Sequence, residues 1–328
     1  MPNDFVQARM RAELRYAFLG MALVVGLLTG VSPTAAAETI HAGKAFPTAF
    51  GFVPLDIGVR EGIFKKYGLD VEITSFGGAP MLVQAVTAGS IDIGLDGGSD
   101  IAMIAKGLPG KGVGALGNAP LEITIVAAAD TTMKTVADLK GRKISVSQIS
   151  TLTGWLVSEL SRQQGWGVEG ITRVASGNAG LSNLMAGDVD GFTIDLSTAL
   201  QLERQGRGKL FLKFGDYVKD FHAYVFIAHN DLMAKRPDAL RAFLKAWYET
   251  IAFMRANKAK AVAIAAEVQH ADPDISSGTY DVMMSSFSTD GKFSAKALEL
   301  MARSFVDLGV VDKAPDPTTL VTEAFLPR

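Results

Sequence analysis

Hydroxyl side chains in one short segment are the first candidates for binding chemistry. Ser147, Ser150, Thr151 and Thr153 precede or open a predicted helix. Hydroxyls and the free backbone N–H groups of a helix start can receive a carboxylate, a sulfonate or a phosphate. The same residue types also cap helices, and we expect at least one of the four to do so.

Backbone donors and aromatic rings follow other predicted strands. Gly78 and Ala79 lead into a helix, while Gly97 and Ser99 follow a strand, so both turns could present N–H groups to a ligand. The loop at residues 44 to 50 contributes two further candidates, Phe46 and Thr48. An aromatic ring there could stack on a planar ligand, although core packing explains the phenylalanines of this region equally well.

Two carboxylates, Asp96 and Asp195, end corresponding strands in two similar parts of the chain. Carboxylates in a cleft favour a ligand with an amine or another donor, whereas the helix starts favour an anion, so the sign of the ligand charge stays open. Surface or capping aspartates are the alternative. Asn178 lies in a glycine turn and His222 begins a predicted strand; a solitary histidine is more often structural.

Enzyme chemistry finds little support in the residues. The chain has no cysteine and four scattered histidines, and it contains neither a His-Glu-x-x-His nor a Gly-x-Ser-x-Gly motif. A Gly-x-Gly-x-x-Gly pattern at 112–117 lies where a strand is expected and no helix follows. We therefore expect no catalytic residue, metal or cofactor. A net charge of −2 without a basic stripe also argues against nucleic acid as a partner.

The elements that must position these residues occur as one pattern twice. Strand, helix, strand, helix and strand follow one another in residues 40 to 95 and again in residues 143 to 194. In both copies Ala-Gly-x-(Ile/Val)-Asp closes the second helix, where glycine suits the positive φ just past a helix end. Such units imply parallel strands with right-handed crossovers, hence an α/β protein with two lobes that face each other across a ligand cleft.

The N-terminus predicts export. A basic start is followed by an uncharged apolar run at residues 17 to 31 and by small residues up to Ala37. We expect a signal peptide at residues 1–37, cleaved near Ala37, and a periplasmic protein. The expected division is 38–130 for the first part of lobe 1, 131–230 for lobe 2, and 231–328 for helices that return to pack on lobe 1.

Five segments together carry a family resemblance. These are Val-Arg-Glu-Gly-Ile-Phe-Lys-Lys-Tyr-Gly-Leu-Asp-Val at 59–71, Phe-Gly-Gly at 76–78, Ala-Val-Thr-Ala-Gly-Ser-Ile-Asp at 85–92, Asp-Leu-Lys-Gly-Arg-Lys-Ile at 138–144 and Pro-Asp-Ala-Leu-Arg-Ala-Phe-Leu at 237–244. In this order they resemble the periplasmic solute-binding proteins of ABC importers, in the branch for nitrate, sulfonates, taurine and thiamine precursors.

The resemblance implies a two-lobed, type II-like periplasmic binding protein fold. It also implies a monomer that closes on a small organic solute and delivers it to an ABC importer permease in the inner membrane. Relatives that make a thiamine pyrimidine carry a cysteine cluster, which this chain lacks. A periplasmic ligand-sensing protein is the alternative function, and an enzyme the least favoured one.

Overall fold

The computed structural model of the protein describes residues 37 to 327. Residues 1 to 36, which contain nearly all of the expected export signal, lie outside the described residues. Within the part that is described, no helix combines the length and the apolar character that crossing a membrane requires.

Ten strands in the described residues form two five-stranded sheets. The strands are β1 Glu38–Lys44, β2 Leu69–Ser75, β3 Ile93–Gly97, β4 Gly110–Ala115, β5 Ile123–Ala127, β6 Lys143–Val146, β7 Thr172–Ala175, β8 Gly191–Asp195, β9 Lys209–Lys213 and β10 Tyr224–His229. The first sheet has the order β2-β1-β3-β10-β4, and the second has the order β7-β6-β8-β5-β9. In each sheet the first three strands are parallel and the fourth is antiparallel to its neighbours.

The helices of the described residues connect these strands or follow them. They are α1 Val53–Arg60, α2 Ile63–Lys66, α3 Ala79–Thr87, α4 Ala102–Ala105, α5 Leu152–Gln163, α6 Gly180–Ala186, α7 Leu196–Arg204, α8 Asn230–Lys235, α9 Pro237–Ala256, α10 Lys258–Gln269, α11 Pro273–Met283 and α12 Ala295–Asp307. Glycines with positive φ close the second helix of both copies, Gly89 at 73° and Gly187 at 79°. The predicted α/β class and the repeated pattern are confirmed.

One predicted helix is wrong in detail. The sequence pattern favours a continuous helix over residues 55 to 67, but α1 ends at Arg60 and α2 begins at Ile63. Gly62 lies between them with a φ of 69°, a left-handed conformation that ends one helix and starts the next in a new direction. The bend lets Phe64 pack against Phe243 of α9, with ring centroids 5.0 Å apart.

Two strands pair in a different sheet from the one that the expected lobe ranges predict. β5 lies within the range 38–130 expected for lobe 1, yet it pairs with β8 and β9 of the second sheet. β10 lies within the range 131–230 expected for lobe 2, yet it pairs with β3 and β4 of the first sheet. The chain therefore crosses between the sheets at residues 116–122 and 214–223, and lobe boundaries at 130 and 230 stay predictions.

Gly98 sits where the first sheet meets the second of these crossings. It opens the 3-10 turn Gly98–Ile101 directly after β3, and its N–H donates to the Ala223 carbonyl at 3.0 Å. A β-carbon at Gly98 would lie 1.9 Å from the His222 carbonyl oxygen, closer than any real contact. Only glycine lets the two segments approach this closely.

The side chain of His222 holds the same crossing in place through two further contacts. Nδ1 lies 3.4 Å from the Gly117 carbonyl, and Nε2 accepts the N–H of Ser294, just before α12, at 3.0 Å. The second contact needs an unprotonated Nε2, so the ring is neutral with its proton on Nδ1. Burial lowers the pKa of His222 to about 4.

Replacing Gly98 by alanine tests the close approach. We expect Gly98→Ala to lower the free energy of unfolding by at least about 2 kcal/mol, because neighbouring backbone must shift. Gly278→Ala is the control: its β-carbon would meet nothing within 4 Å in α11, and alanine should stabilise this helix by about 0.5–1 kcal/mol. Equal urea midpoints for the Gly98→Ala variant and the wild type would contradict the expectation.

The neutral His222 predicts a pH dependence of stability. Because its folded pKa lies below the ordinary value of 6.5, the unfolded chain binds the extra proton between about pH 6.5 and 4. The stabilising contribution is complete above pH 6.5 and is lost as the pH falls. The stability advantage of the wild type over His222→Gln should shrink by about 2 kcal/mol between pH 7 and 5, measured by urea unfolding. A constant difference would show that the ring titrates normally.

Candidate functional site

A cavity lies where loops from the two sheets meet. Its walls come from the segments that follow β1, β3, β6 and β7, from the end of β8, and from the first residues of β5 and β10. The cavity has a volume of about 160 Å³ and a mostly apolar surface. Its position beyond the carboxyl ends of the parallel strands is where α/β sheets place ligands.

Half of the predicted site residues line this cavity. They are Phe46, Thr48, Ser147, Thr151, Thr153, Asn178 and Asp195. The structure places the other half outside the lining. They are Gly78, Ala79, Asp96, Gly97, Ser99, Ser150 and His222.

The hydroxyl cluster forms a connected group at the start of α5. The Ser147 hydroxyl lies 2.9 Å from both the Thr151 and the Thr153 hydroxyls, and the Ser147 N–H donates to Thr153 Oγ1 at 3.1 Å. Thr151 precedes α5 without capping it through its side chain, which donates to the Gln148 carbonyl instead. Ser150 is exposed and takes no part in these hydrogen bonds.

Asp195 performs both of the roles considered for it. It caps α7 by accepting the Thr198 N–H at 2.9 Å and the Thr198 hydroxyl at 2.8 Å, and it also lines the cavity. The Thr48 hydroxyl donates to the same carboxylate at 3.3 Å from the loop after β1. This hydrogen bond therefore joins the walls contributed by the two sheets. Burial raises the pKa of Asp195 above its usual range.

Asp96 was expected in the cleft, but Asp100 takes that place. The 3-10 turn after β3 carries Asp100 into the cavity wall, while Asp96 is fully buried behind it. Asp96 Oδ1 accepts the Gly97 N–H at 2.8 Å, and Asp96 Oδ2 has no hydrogen-bond partner. A β-carbon at Gly97 would lie 2.6 Å from Asp100 Oδ2, so the glycine makes room for this carboxyl group.

The two aspartates influence each other's protonation. Burial raises the pKa of Asp96 to about 7. Burial, and then the charge of Asp96, raise the pKa of Asp100 well above its usual range. Because two adjacent buried carboxyl groups cannot both ionise cheaply, the pair holds a proton near neutral pH.

Glu122 orders the loop after β1, which forms another part of the cavity wall. Its fully buried carboxylate accepts the N–H groups of Phe50 at 2.6 Å and Gly51 at 2.8 Å. Burial and the charge of Asp195 raise the pKa of Glu122 to about 7, although hydrogen bonds from Gly51, Tyr224 and Phe50 oppose the shift. Tyr224 lines the cavity next to this carboxyl group. A side chain from a crossing between the sheets thus fixes the loop that carries Phe46 and Thr48.

The remaining predicted residues have other surroundings. Gly78 and Ala79 start α3, and a β-carbon at the preceding Gly77 would lie 3.5 Å from the amide nitrogen of Asn178, so the two glycine turns face each other. Ser99 is buried and its hydroxyl has no partner. His222 makes the structural contacts described above. The prediction that it reaches the ligand is not supported by its position.

Sequence patterns missed Asp100 and Glu122 among the acidic groups of the site. Asp100 directly follows Ser99 in the predicted loop, so its inclusion needed only the extent of the turn. Glu122 has no sequence signal, because its partners are backbone groups at residues 50 and 51, far away in the chain. Among the described residues, no group of three or more metal-ligating side chains is arranged to hold a metal ion.

Comparisons with known proteins identify relatives of two kinds. A candidate binding protein of Brucella abortus is 25% identical over 79% of this chain and 80% of its own length. The 4-amino-5-hydroxymethyl-2-methylpyrimidine phosphate synthase THI5 of Saccharomyces cerevisiae is 25% identical over 66% of both chains.

Solved structures extend the comparison to the fold. The alkanesulfonate-binding protein of Xanthomonas axonopodis, bound to MOPS, superposes with a TM-score of 0.74 at 19% identity, over 88% of this chain and 99% of that one. The periplasmic nitrate-binding protein of Synechocystis superposes with a TM-score of 0.69 at 17% identity, over 88% and 87%. The predicted periplasmic binding protein fold is confirmed.

The family comparison covers the residues that form the site. The sequence matches the family described as NMT1/THI5 like over residues 50–261, a range that contains the second sheet and most of the cavity wall. With its fold and its resemblance both established, this chain belongs to the NMT1/THI5-like family.

Proposed function

We propose that this protein is the periplasmic substrate-binding component of an ABC importer. It captures one small organic solute in the cavity and delivers it to a permease in the inner membrane, acting as a monomer. The observation that carries the proposal is the cavity itself, whose walls are contributed by loops of both sheets. The fold neighbours, named as an alkanesulfonate-binding protein and a periplasmic nitrate-binding protein, support the same function.

Contacts between the two sides support capture by closure. The Thr48 hydroxyl donates to Asp195, and the Gln269 side chain holds the Thr48 carbonyl at 2.9 Å. Arg204 of α7 pairs with Asp272, just before α11, at 2.6 Å. These contacts connect the second sheet to the helices packed on the first. A solute that touches both walls adds its binding energy only in the closed state, so it shifts the population towards closure.

Binding without conversion is the expected chemistry. No histidine lines the cavity among the described residues, and the chain has no cysteine. The buried carboxyl groups are held by backbone N–H groups, hydroxyls or each other, without a paired base and nucleophile. Solute release to a permease needs only reopening of the cleft.

A thermal-shift screen tests the binding function. A small organic solute that occupies the cavity should raise the melting temperature by several degrees, because it binds only the folded protein. Mass spectrometry of the mixture after prolonged incubation should recover the same solute unchanged. Turnover of the bound compound would contradict the proposal, as would a screen without any hit.

Two serine variants test whether a solute found in the screen binds in this cavity. Ser147→Ala removes a hydroxyl of the cavity wall and should weaken binding about 3- to 10-fold, the effect of one lost hydrogen bond. Ser150→Ala removes the same group from the same loop at an exposed position outside the wall, and should leave the affinity unchanged. Titration calorimetry measures both. Equal affinities for the two variants would place the ligand elsewhere.

A further inference from the structure

The ionisable side chains that line the cavity among the described residues are all acidic. Asp100 and Asp195 form part of its wall, and the buried carboxyl groups of Asp96 and Glu122 lie directly behind them. No lysine, arginine or histidine lines the cavity in the part of the chain that the structure describes. The one buried lysine near the end of β1, Lys44, is already paired with Asp56 at 2.7 Å.

Asp100 lacks a compensating partner. It is 7% exposed, and no hydrogen bond or ion pair with a cationic side chain reaches its carboxyl group within the described residues. Its polar neighbour is Asp96, whose second oxygen is itself unpartnered. A buried carboxyl pair with one proton between its members is costly to ionise, and the side of Asp100 that faces the cavity is where a ligand can supply a further donor.

Asp195 reaches the cavity from the other sheet. Its oxygens accept hydrogen bonds from Thr198 and Thr48, but the residue still forms part of the cavity surface. Closure therefore brings carboxyl groups from two walls towards one space. A positive charge between them replaces repulsion by attraction, and only in the closed state does it contact both.

An anionic ligand would meet the opposite situation. The hydroxyls at the start of α5 are hydrogen-bonded to one another, so part of their donor capacity is already used. No arginine or lysine of the lining could neutralise a carboxylate or sulfonate. The negative field of the carboxyl groups would weigh against such a head group.

We propose that the solute carries a protonated nitrogen, as an alkylammonium or an amidinium group, and that Asp100 and Asp195 bind it from opposite walls. The proposal rests on the proposed binding function and names its substrate class and its specificity-determining residues. The apolar remainder of the cavity and Phe46 receive the uncharged part of the solute.

Small probes that share a butyl or phenyl part and differ in the charge of the head group test the charge preference of the cavity. The probes are n-butylamine, benzylamine and benzamidine, compared with n-butyrate, benzoate and benzenesulfonate and with neutral benzyl alcohol and benzamide. We expect melting-temperature rises with at least one amine or amidine, and none with its neutral or anionic counterparts.

Charge-removing variants identify the residues responsible. Asp100→Asn and Asp195→Asn should each weaken binding of the cationic probe by at least about tenfold, since each loses a charge-assisted contact. Asparagine still caps a helix, so Asp195→Asn keeps the start of α7. Asp130→Asn removes the same charge from an exposed position and should bind like the wild type, which excludes a general effect of net charge.

The stability of Asp100→Asn separates a binding defect from a folding defect. Its ligand-free melting temperature should equal or exceed that of the wild type, because a buried carboxyl pair is removed. Binding of a neutral or anionic probe to the wild type as tightly as its cationic counterpart, or an unchanged affinity of Asp100→Asn for the cationic probe, would overturn the proposed substrate class or residue but leave the binding function intact. Failure of these probes and of every solute in the wider screen would overturn both.

Discussion

Four carboxyl groups around one cavity, three of them buried and that of Asp195 half-buried, are the constraint on which the site depends. Asp96, Asp100, Glu122 and Asp195 all have raised pKa values, with burial as the largest cause in each case. Each group that is satisfied fixes a piece of structure: Glu122 holds the backbone at Phe50 and Gly51, and Asp195 holds the start of α7. The pair of Asp96 and Asp100 has the Gly97 N–H as a donor but no cationic partner in the described residues.

The exchange of one strand between the sheets makes this arrangement possible. β5 follows β4 of the first sheet but joins the second, and β10 follows β9 of the second sheet but joins the first. The two resulting crossings run side by side, with the Phe221 N–H donating to the Asn118 carbonyl. Glu122 ends the first crossing and Tyr224 follows the second, so both lie where the sheets meet. Gly98 and His222 tie the second crossing to the first sheet and to α12. The cavity wall is therefore anchored to the connections between the two sheets.

The sequence predicted the elements better than the site. Helices and strands were recognisable because glycines such as Gly89 and Gly187 mark the helix ends and apolar periodicity marks the rest. The sheet to which β5 or β10 belongs was not recognisable from the sequence, since a short apolar strand carries no information about the strand with which it pairs. Asp96 was predicted in place of Asp100 because the sequence pattern shows where β3 ends. The pattern does not show the 3-10 turn that follows and carries Asp100. His222 was a predicted site residue, but its structural role depends on backbone groups that lie far away in the chain.

A shared fold does not require a shared ligand charge. Similarity to proteins named for sulfonate and nitrate binding rests on the sheets and helices, which match at below 20% identity. The charge of the cavity is decided instead by a few side chains in the loops after the strands, such as Asp100 and Asp195. Because these loops tolerate substitution without loss of the core, the same clamshell can present donors in one relative and carboxylates in another. The ligand class therefore depends on the cavity wall of this chain, which has two carboxyl groups and, among the described residues, no cationic side chain.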